Sequence, residues 1–428
     1  MLIILPIVFV LTIILGVPVC FCLGLGALAY MVLGQGMPLN LLPTLMFGGI
    51  DSFPLMSVPF FIMAGDLLAR AGILPKLIDL ADGLVGHLRG GLAYVTILSS
   101  MFFAGVTGVA VADAAAVGSM LIPGMVKQGY TRPFSAAVTA AASVMGPIIP
   151  PSVAMLIFAC VYGGGISVAK MFLMGAVPGV IIGLGLMALV RLLSGKYRIP
   201  LSQQNFNLVK LGRSFVAALP GLMVPFIILG GIIGGIFTPT EAGAVAVAYG
   251  LLVGLFLTRR LRLKDIAACF LASCKTSAMV FMMLATAKVV SFILTAHQVP
   301  ALIGQLFTQM TSSPYIFLLL TIFFLWLLGF VLEAVATMIM LIPILAPIAV
   351  AYGLEPHHFG LIIVMTVQVA LLTPPVALSL FICCPLAECS LEDAALEVWP
   401  FMGFILAVIA LVAFWPGVST WLPRLFSF

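Results

Sequence analysis

Ile149-Pro150-Pro151-Ser152-Val153-Ala154 recurs, in altered form, as Thr373-Pro374-Pro375-Val376-Ala377, with Pro150 and Pro374 224 positions apart. Each Pro-Pro sits midway along an apolar segment, one near 133–165 and the other near 358–387. Adjacent prolines remove two N–H donors and cannot continue a helix. One bilayer crossing takes about 20 apolar residues, so segments of roughly 30 hold two half-crossings better than two full ones. The expected shape is a re-entrant hairpin, with one helix in, an extended tip and one helix out. Irregular backbone at membrane depth must be buried in protein or wetted by a cavity. The alternative is a proline kink in an ordinary helix, and the duplication weighs against it.

Working outward, the same offset returns. Gly105 and Gly329 are 224 apart, Pro75 and Pro300 are 225 apart, and so are Phe134 and Phe359. Four ordered matches at a near-constant spacing argue for duplication. The expected division is a first repeat over 1–193, a central polar connection over 194–213 and a second repeat over 214–428. Charge indicates how the halves relate. First-half connections carry Arg70, Lys76, Arg89, Lys127 and Arg132, whereas Val289 to Pro423 contains no Lys or Arg. Basic connections favour the cytoplasm, so equivalent loops are expected on opposite sides. That pattern is an inverted repeat, common among secondary transporters.

Composition places the chain in a membrane. Of 428 residues, 64% are apolar and 7% charged, with a mean hydropathy of +1.32, against roughly 25% charged in soluble domains. The net charge of +5 comes from Lys and Arg at the ends of apolar runs and gives no reason to expect a nucleic-acid partner. The eight cysteines form neither a zinc pattern nor a disulfide frame. His87, His297, His357 and His358 have no metal-ligand spacing, and no Walker A loop, GxSxG elbow or dinucleotide fingerprint is present. An enzyme is therefore not expected. Leu74–Leu88 and Leu261–Ser273 read as interfacial amphipathic helices. The run from Met1 to Leu33 lacks the basic n-region and cleavage site of a signal peptide.

Candidate chemistry gathers at the tips and at two glycine breaks. Phe103-Ala104-Gly105-Val106-Thr107-Gly108 and Leu328-Gly329-Phe330-Val331-Leu332-Glu333 each interrupt a long apolar run, where small residues allow unwinding or close helix packing. Carbonyls freed at such breaks can hold a cation, and helix N-termini can face an anion. Asp113 and Glu333 are acids inside apolar segments, costly unless paired or hydrated. Asp113 reads first as support for a helix N-terminus. Glu333 tunes a cation site, carries a proton or bonds a helix terminus. Thr238-Pro239-Thr240-Glu241 reads as a capping box. Lys288, inside an apolar run, pairs with an acid, meets an anion, snorkels or contacts a partner.

These motifs together resemble the large membrane subunit of tripartite ATP-independent periplasmic (TRAP) transporters, over nearly the whole chain. The resemblance rests on Gly105-Val106-Thr107-Gly108 with Val111-Ala112-Asp113-Ala114-Ala115-Ala116, and on Gly146-Pro147-Ile148-Ile149-Pro150-Pro151-Ser152. Phe237-Thr238-Pro239-Thr240-Glu241-Ala242 and Leu371-Leu372-Thr373-Pro374-Pro375-Val376 complete it. It implies an all-α, multi-pass protein of the bacterial inner membrane, an elevator-type permease importing a small organic acid anion (a dicarboxylate, sugar acid or similar) by sodium symport. It implies two partners, a small four-helix membrane subunit and a periplasmic substrate-binding protein, and no cofactor besides the coupling sodium. Carried over by motif, one sodium site takes Thr107, Gly146, Ile149 and Pro151, and the other Gly329, Ala370, Thr373 and Pro375. Ser152, Asp113, Glu333, Gly105 and Gly108 support them. Thr107 stands where the family often has Ser, and Glu333 where many members have Asp. A stand-alone inverted-repeat permease coupled to protons or sodium is the alternative, with a channel or non-transporting scaffold behind it.

Overall fold

The computed structural model describes residues 2–34, 37–195, 206–330, 332–374 and 377–426. The first half contains α1 (Ile4–Ile14), α2 (Val19–Leu33), α3 (Leu41–Ile50), α4 (Ser57–Arg70), α5 (Ile73–Val85), α6 (Gly91–Thr107), α7 (Ala110–Lys127), α8 (Arg132–Ser143), α9 (Val153–Tyr162) and α10 (Val168–Leu193). The second contains α11 (Leu208–Ile233), α12 (Pro239–Leu252), α13 (Leu263–Ala296), α14 (Val299–Met310), α15 (Pro314–Leu328), α16 (Ala334–Ala351), α17 (Pro356–Ala370), α18 (Leu378–Ala387), α19 (Leu391–Phe414) and α20 (Gly417–Leu425). Among the described residues there is no strand, and eight helices are long and apolar enough to cross a membrane. Large apolar side chains such as Phe21, Phe226, Phe256 and Phe381 lie exposed on the outside. That is the surface expected of a protein solvated by lipid.

Each Pro-Pro separates two short helices. At about 1.5 Å per residue, the 12 residues of α8 and the 10 of α9 fall short of a hydrocarbon core of about 30 Å. Helix α8 is Ala- and Ser-rich and buried on every side from Phe134 to Ser143, because small side chains let neighbouring backbones approach closely. Its counterpart α17 is likewise buried from His358 to Ala370.

The helices α5 to α10 recur as α14 to α19, with starts displaced by 223 to 226 positions. Their packing is crosswise. Helix α8 packs against α18 and α19, and α17 packs against α9 and α10; α7 meets α18 as α16 meets α9. Each short pair thus lies against elements of the other half. Polar contacts fasten the outer ends. Arg132 reaches the Glu388 carboxylate at 3.0 Å and donates to the Glu388 carbonyl at 3.1 Å. On the other side Lys170 lies 3.3 Å from Glu355, His357 Nδ1 lies 2.6 Å from Glu355, and the Ser167 N–H donates to His357 Nε2 at 3.0 Å.

The structure departs from two sequence expectations. Leu261–Ser273 is not a separate interfacial helix, because α13 runs unbroken from Leu263 to Ala296. No Gly or Pro occurs in those 34 residues, so nothing stops the helix at the polar patch. The polar stretch 194–213 is also not all connection, since α11 starts at Leu208, capped by Asn207; residues 196–205 lie outside the described residues. The capping box at Thr238 forms as read. Its hydroxyl accepts from the Glu241 N–H at 3.3 Å, and Glu241 accepts from the Thr238 N–H at 2.7 Å.

Candidate ion and substrate site

The first glycine break is a tight reversal. Helix α6 ends at Thr107, Gly108 adopts φ +65°, and α7 begins at Ala110. This left-handed conformation disfavours any residue with a Cβ. The Pro-Pro turn between α8 and α9 lies directly against it. A Cβ on Gly108 would stand 2.4 Å from the Pro151 carbonyl oxygen, and the Val153 N–H donates to the Gly108 carbonyl at 3.4 Å. Gly105, one turn earlier, packs first against the Pro225 ring, 3.2 Å from an added Cβ, with the Pro150 oxygen next at 3.7 Å. The Pro150–Pro151 bond is cis. Ser152 closes the tip: its hydroxyl donates to the Pro147 carbonyl and accepts from the Met155 N–H at 3.1 Å, capping α9.

Asp113 lies in the first turn of α7 and is wholly buried. The Thr107 hydroxyl donates to its Oδ1. Its Oδ2 has no hydrogen-bond partner and faces Gly146, where a Cβ would be 2.8 Å away. The structure therefore brings together Thr107, Gly108, Gly146 and Pro151, with Asp113 beneath them. Ile149 belongs to the same tip, its N–H bonded to the Met145 carbonyl at 2.8 Å.

The second half is related but not identical. Helix α15 ends at Leu328 with Gly329 as its cap in right-handed conformation. A Cβ on Gly329 would fall 2.0 Å from the Ala370 Cβ, so the break presses against the end of α17. Thr373 accepts a hydrogen bond from Trp326 Nε1 at 3.1 Å and donates to the Val369 carbonyl at 3.1 Å. Gly329, Ala370 and Thr373 thus share one neighbourhood, while Pro375 lies outside the described residues. Of the readings open for Glu333, the structure shows the helix-terminus bond, since its side chain caps α16 by accepting from the Ala336 N–H at 3.2 Å.

A cavity of about 60 Å³ lies between the Gly108 break, the start of α9, the start of α16 and the end of α17. Gly108, Pro147 and Val153 line it from one half, and Glu333, Gln368 and Leu371 from the other. Such a space holds a few water-sized molecules. Gln368 is not among the residues picked out from sequence. Gln368 carried a readable signal, being the one side-chain amide within the apolar run of α17. Trp326 had none, because its partner lies 47 positions away.

A family model described as the tripartite ATP-independent periplasmic transporter, DctM component, matches residues 6–418. The chain belongs to this family. It is a multi-pass permease of the inner membrane and not an enzyme. It is similar to the isethionate TRAP transporter permease protein DctMQ of Oleidesulfovibrio alaskensis, with 38% identity over 96% of this chain. It spans 64% of that relative's length. The sialic acid TRAP transporter large permease protein SiaM of Vibrio cholerae is 34% identical over 96% of both chains. Among solved structures, the YdaH transporter of Alcanivorax borkumensis shares the fold, with a TM-score of 0.61 at 14% identity over 93% of this chain and 96% of that one.

Proposed function

We propose that this permease imports a small organic anion together with sodium, working with a small four-helix membrane subunit and a periplasmic binding protein. Asp113 carries the coupling argument. One of its oxygens is tied to Thr107, and the other is buried without a partner beside the Gly146 tip. A carboxylate so enclosed is costly unless a cation or proton neutralises it. Sodium favours oxygen donors, and the carbonyls of the tip and the Thr107–Gly108 break supply them. The second site is read at Gly329, Ala370, Thr373 and Pro375.

The relatives named for isethionate and sialic acid share an anionic substrate, which supports the same class here. Coupling requires that sodium favour the state that holds the anion, and an ion that draws Gly108, Gly146 and Pro151 together meets that condition. The crosswise tips and their fastened ends form a unit suited to moving as one body past the remaining helices, which is the elevator reading. Reconstituted with its partner subunits in proteoliposomes, the complex should accumulate a labelled anion only under an inward sodium gradient. Asp113→Asn should abolish sodium activation. Equal uptake without sodium would remove the coupling proposal.

A further inference from the structure

A second and larger cavity, of about 440 Å³, lies away from the tips. Helix α3 and α13 form one wall, and the ends of α9 and α16 form the other. Its size falls within the roughly 300–1,000 Å³ of small-molecule sites. Lys288 is the lone charged residue in its lining, which also offers Ser52, Tyr162 and Ser291. Among the described residues Lys288 has no ion pair. Helix α3 closes tightly over its stem, for a Cβ on Gly49 would stand 2.8 Å from the Lys288 Cβ.

The position of this lysine calls for an explanation. Helix α13 leaves the basic cluster Arg259, Arg260, Arg262 and Lys264, and Lys288 lies toward its far end. Beyond it no Lys or Arg follows until Arg424. The lysine therefore lies at the end of α13 remote from that cluster, where Lys170 is paired with Glu355 and Lys288 is not, so the positive-inside tendency does not account for it. An unpaired ammonium in an apolar helix marks a functional site more often than a structural one. Helices α9 and α16 both run from the tip cavity to this one: Val153 and Glu333 line the first, Tyr162 and Pro343 the second. At about 1.5 Å per residue the separation is on the order of 15 Å.

We propose that this cavity is a staging site for the carboxylate or sulfonate of the transported anion, with Lys288 as its counter-charge. The proposal rests on the import reading above and adds a first station on the route to the tips. An anionic lipid headgroup offers the same chemistry, so the experiment separates the two sources. Lys288→Gln and Lys288→Arg are compared with the parent complex in proteoliposomes, using isethionate, sialic acid and succinate as probes. For whichever probe is transported, Lys288→Gln should raise KM at least tenfold with kcat within twofold, and Lys288→Arg should restore it. The effect should be the same in phosphatidylcholine vesicles with and without phosphatidylglycerol. An unchanged KM, a loss confined to kcat, or an effect present only with phosphatidylglycerol would overturn the staging site.

Thermal-shift titration of the purified chain with the same three probes keeps the two ideas distinguishable. A probe that stabilises the parent and not Lys288→Gln supports the staging site even where uptake fails. No stabilisation of the parent by any probe, with wild-type uptake kinetics in Lys288→Gln, rejects it and leaves import standing.

Discussion

Replacing Gly108 by alanine tests whether the first tip works as a clamp. The residue has φ +65°, and its added Cβ would lie 2.4 Å from the Pro151 oxygen and 3.2 Å from the Val153 nitrogen. The left-handed backbone alone costs a residue with a Cβ roughly 1–2 kcal/mol. Relief of the contact requires the tip to withdraw, which breaks the Val153 N–H to Gly108 bond, worth about 1 kcal/mol net. Together these come to about 2–3 kcal/mol, or roughly a 30- to 140-fold loss in occupancy of the assembled tip at tenfold per 1.4 kcal/mol.

The assay is sodium activation of uptake in proteoliposomes. Gly108→Ala should shift half-activation by that factor or abolish uptake, while the protein still elutes as a folded species. Gly353→Ala is the control. It also has a left-handed glycine, φ +71°, but nothing within 4 Å of its Cβ, so it bears the backbone cost without the clash. Normal sodium activation in Gly108→Ala would refute the clamp, and an equal defect in both variants would show that the contact with Pro151 is irrelevant.

Two further outcomes are expected. Gly329→Ala should disable transport through its clash with Ala370, 2.0 Å away, and the double variant Gly329→Ala/Ala370→Gly should recover much of it; a double variant no better than the single would refute this packing argument. Glu355 has its carboxyl pulled down to about 2: burial acts upward, but the His357 bond, the His358 amide and the Lys170 charge outweigh it. Its ionised form is thus the one the fold favours, with that contribution complete above the ordinary carboxylate range and lost as pH falls toward 2. Melting curves should show Glu355→Gln less stable than the parent at neutral pH, with the gap narrowing near pH 3 (a round test value inside that window), and a constant gap would count against the network.

Much of the site was legible because proline and glycine act locally. A Pro-Pro stops a helix wherever it stands, so the tips at Pro150 and Pro374 could be read without any neighbour. The breaks at Gly108 and Gly329 and the cap at Thr238 were visible for the same reason. What was hidden depends on partners far away in the chain. Gln368 joins Gly108 in one cavity only because α17 and α9 pack crosswise, and Thr373 meets Trp326 across a helix break. Apolarity on all sides of a helix records burial or contact with lipid, not which neighbour it faces. The unbroken α13 shows the converse: a polar patch suggests a boundary at Ser273 that a helix without Gly or Pro does not need.

By itself the sequence determined a membrane protein of two related halves with paired helix breaks, since hydropathy, prolines and glycines are properties of the chain. Only the tertiary structure decided that Gly108 and Gln368 share one cavity, that the free oxygen of Asp113 faces Gly146, and that Lys288 looks into a cavity between two walls. Those facts arise from which helices lie side by side, and close packing of small residues sets that arrangement with no local signature.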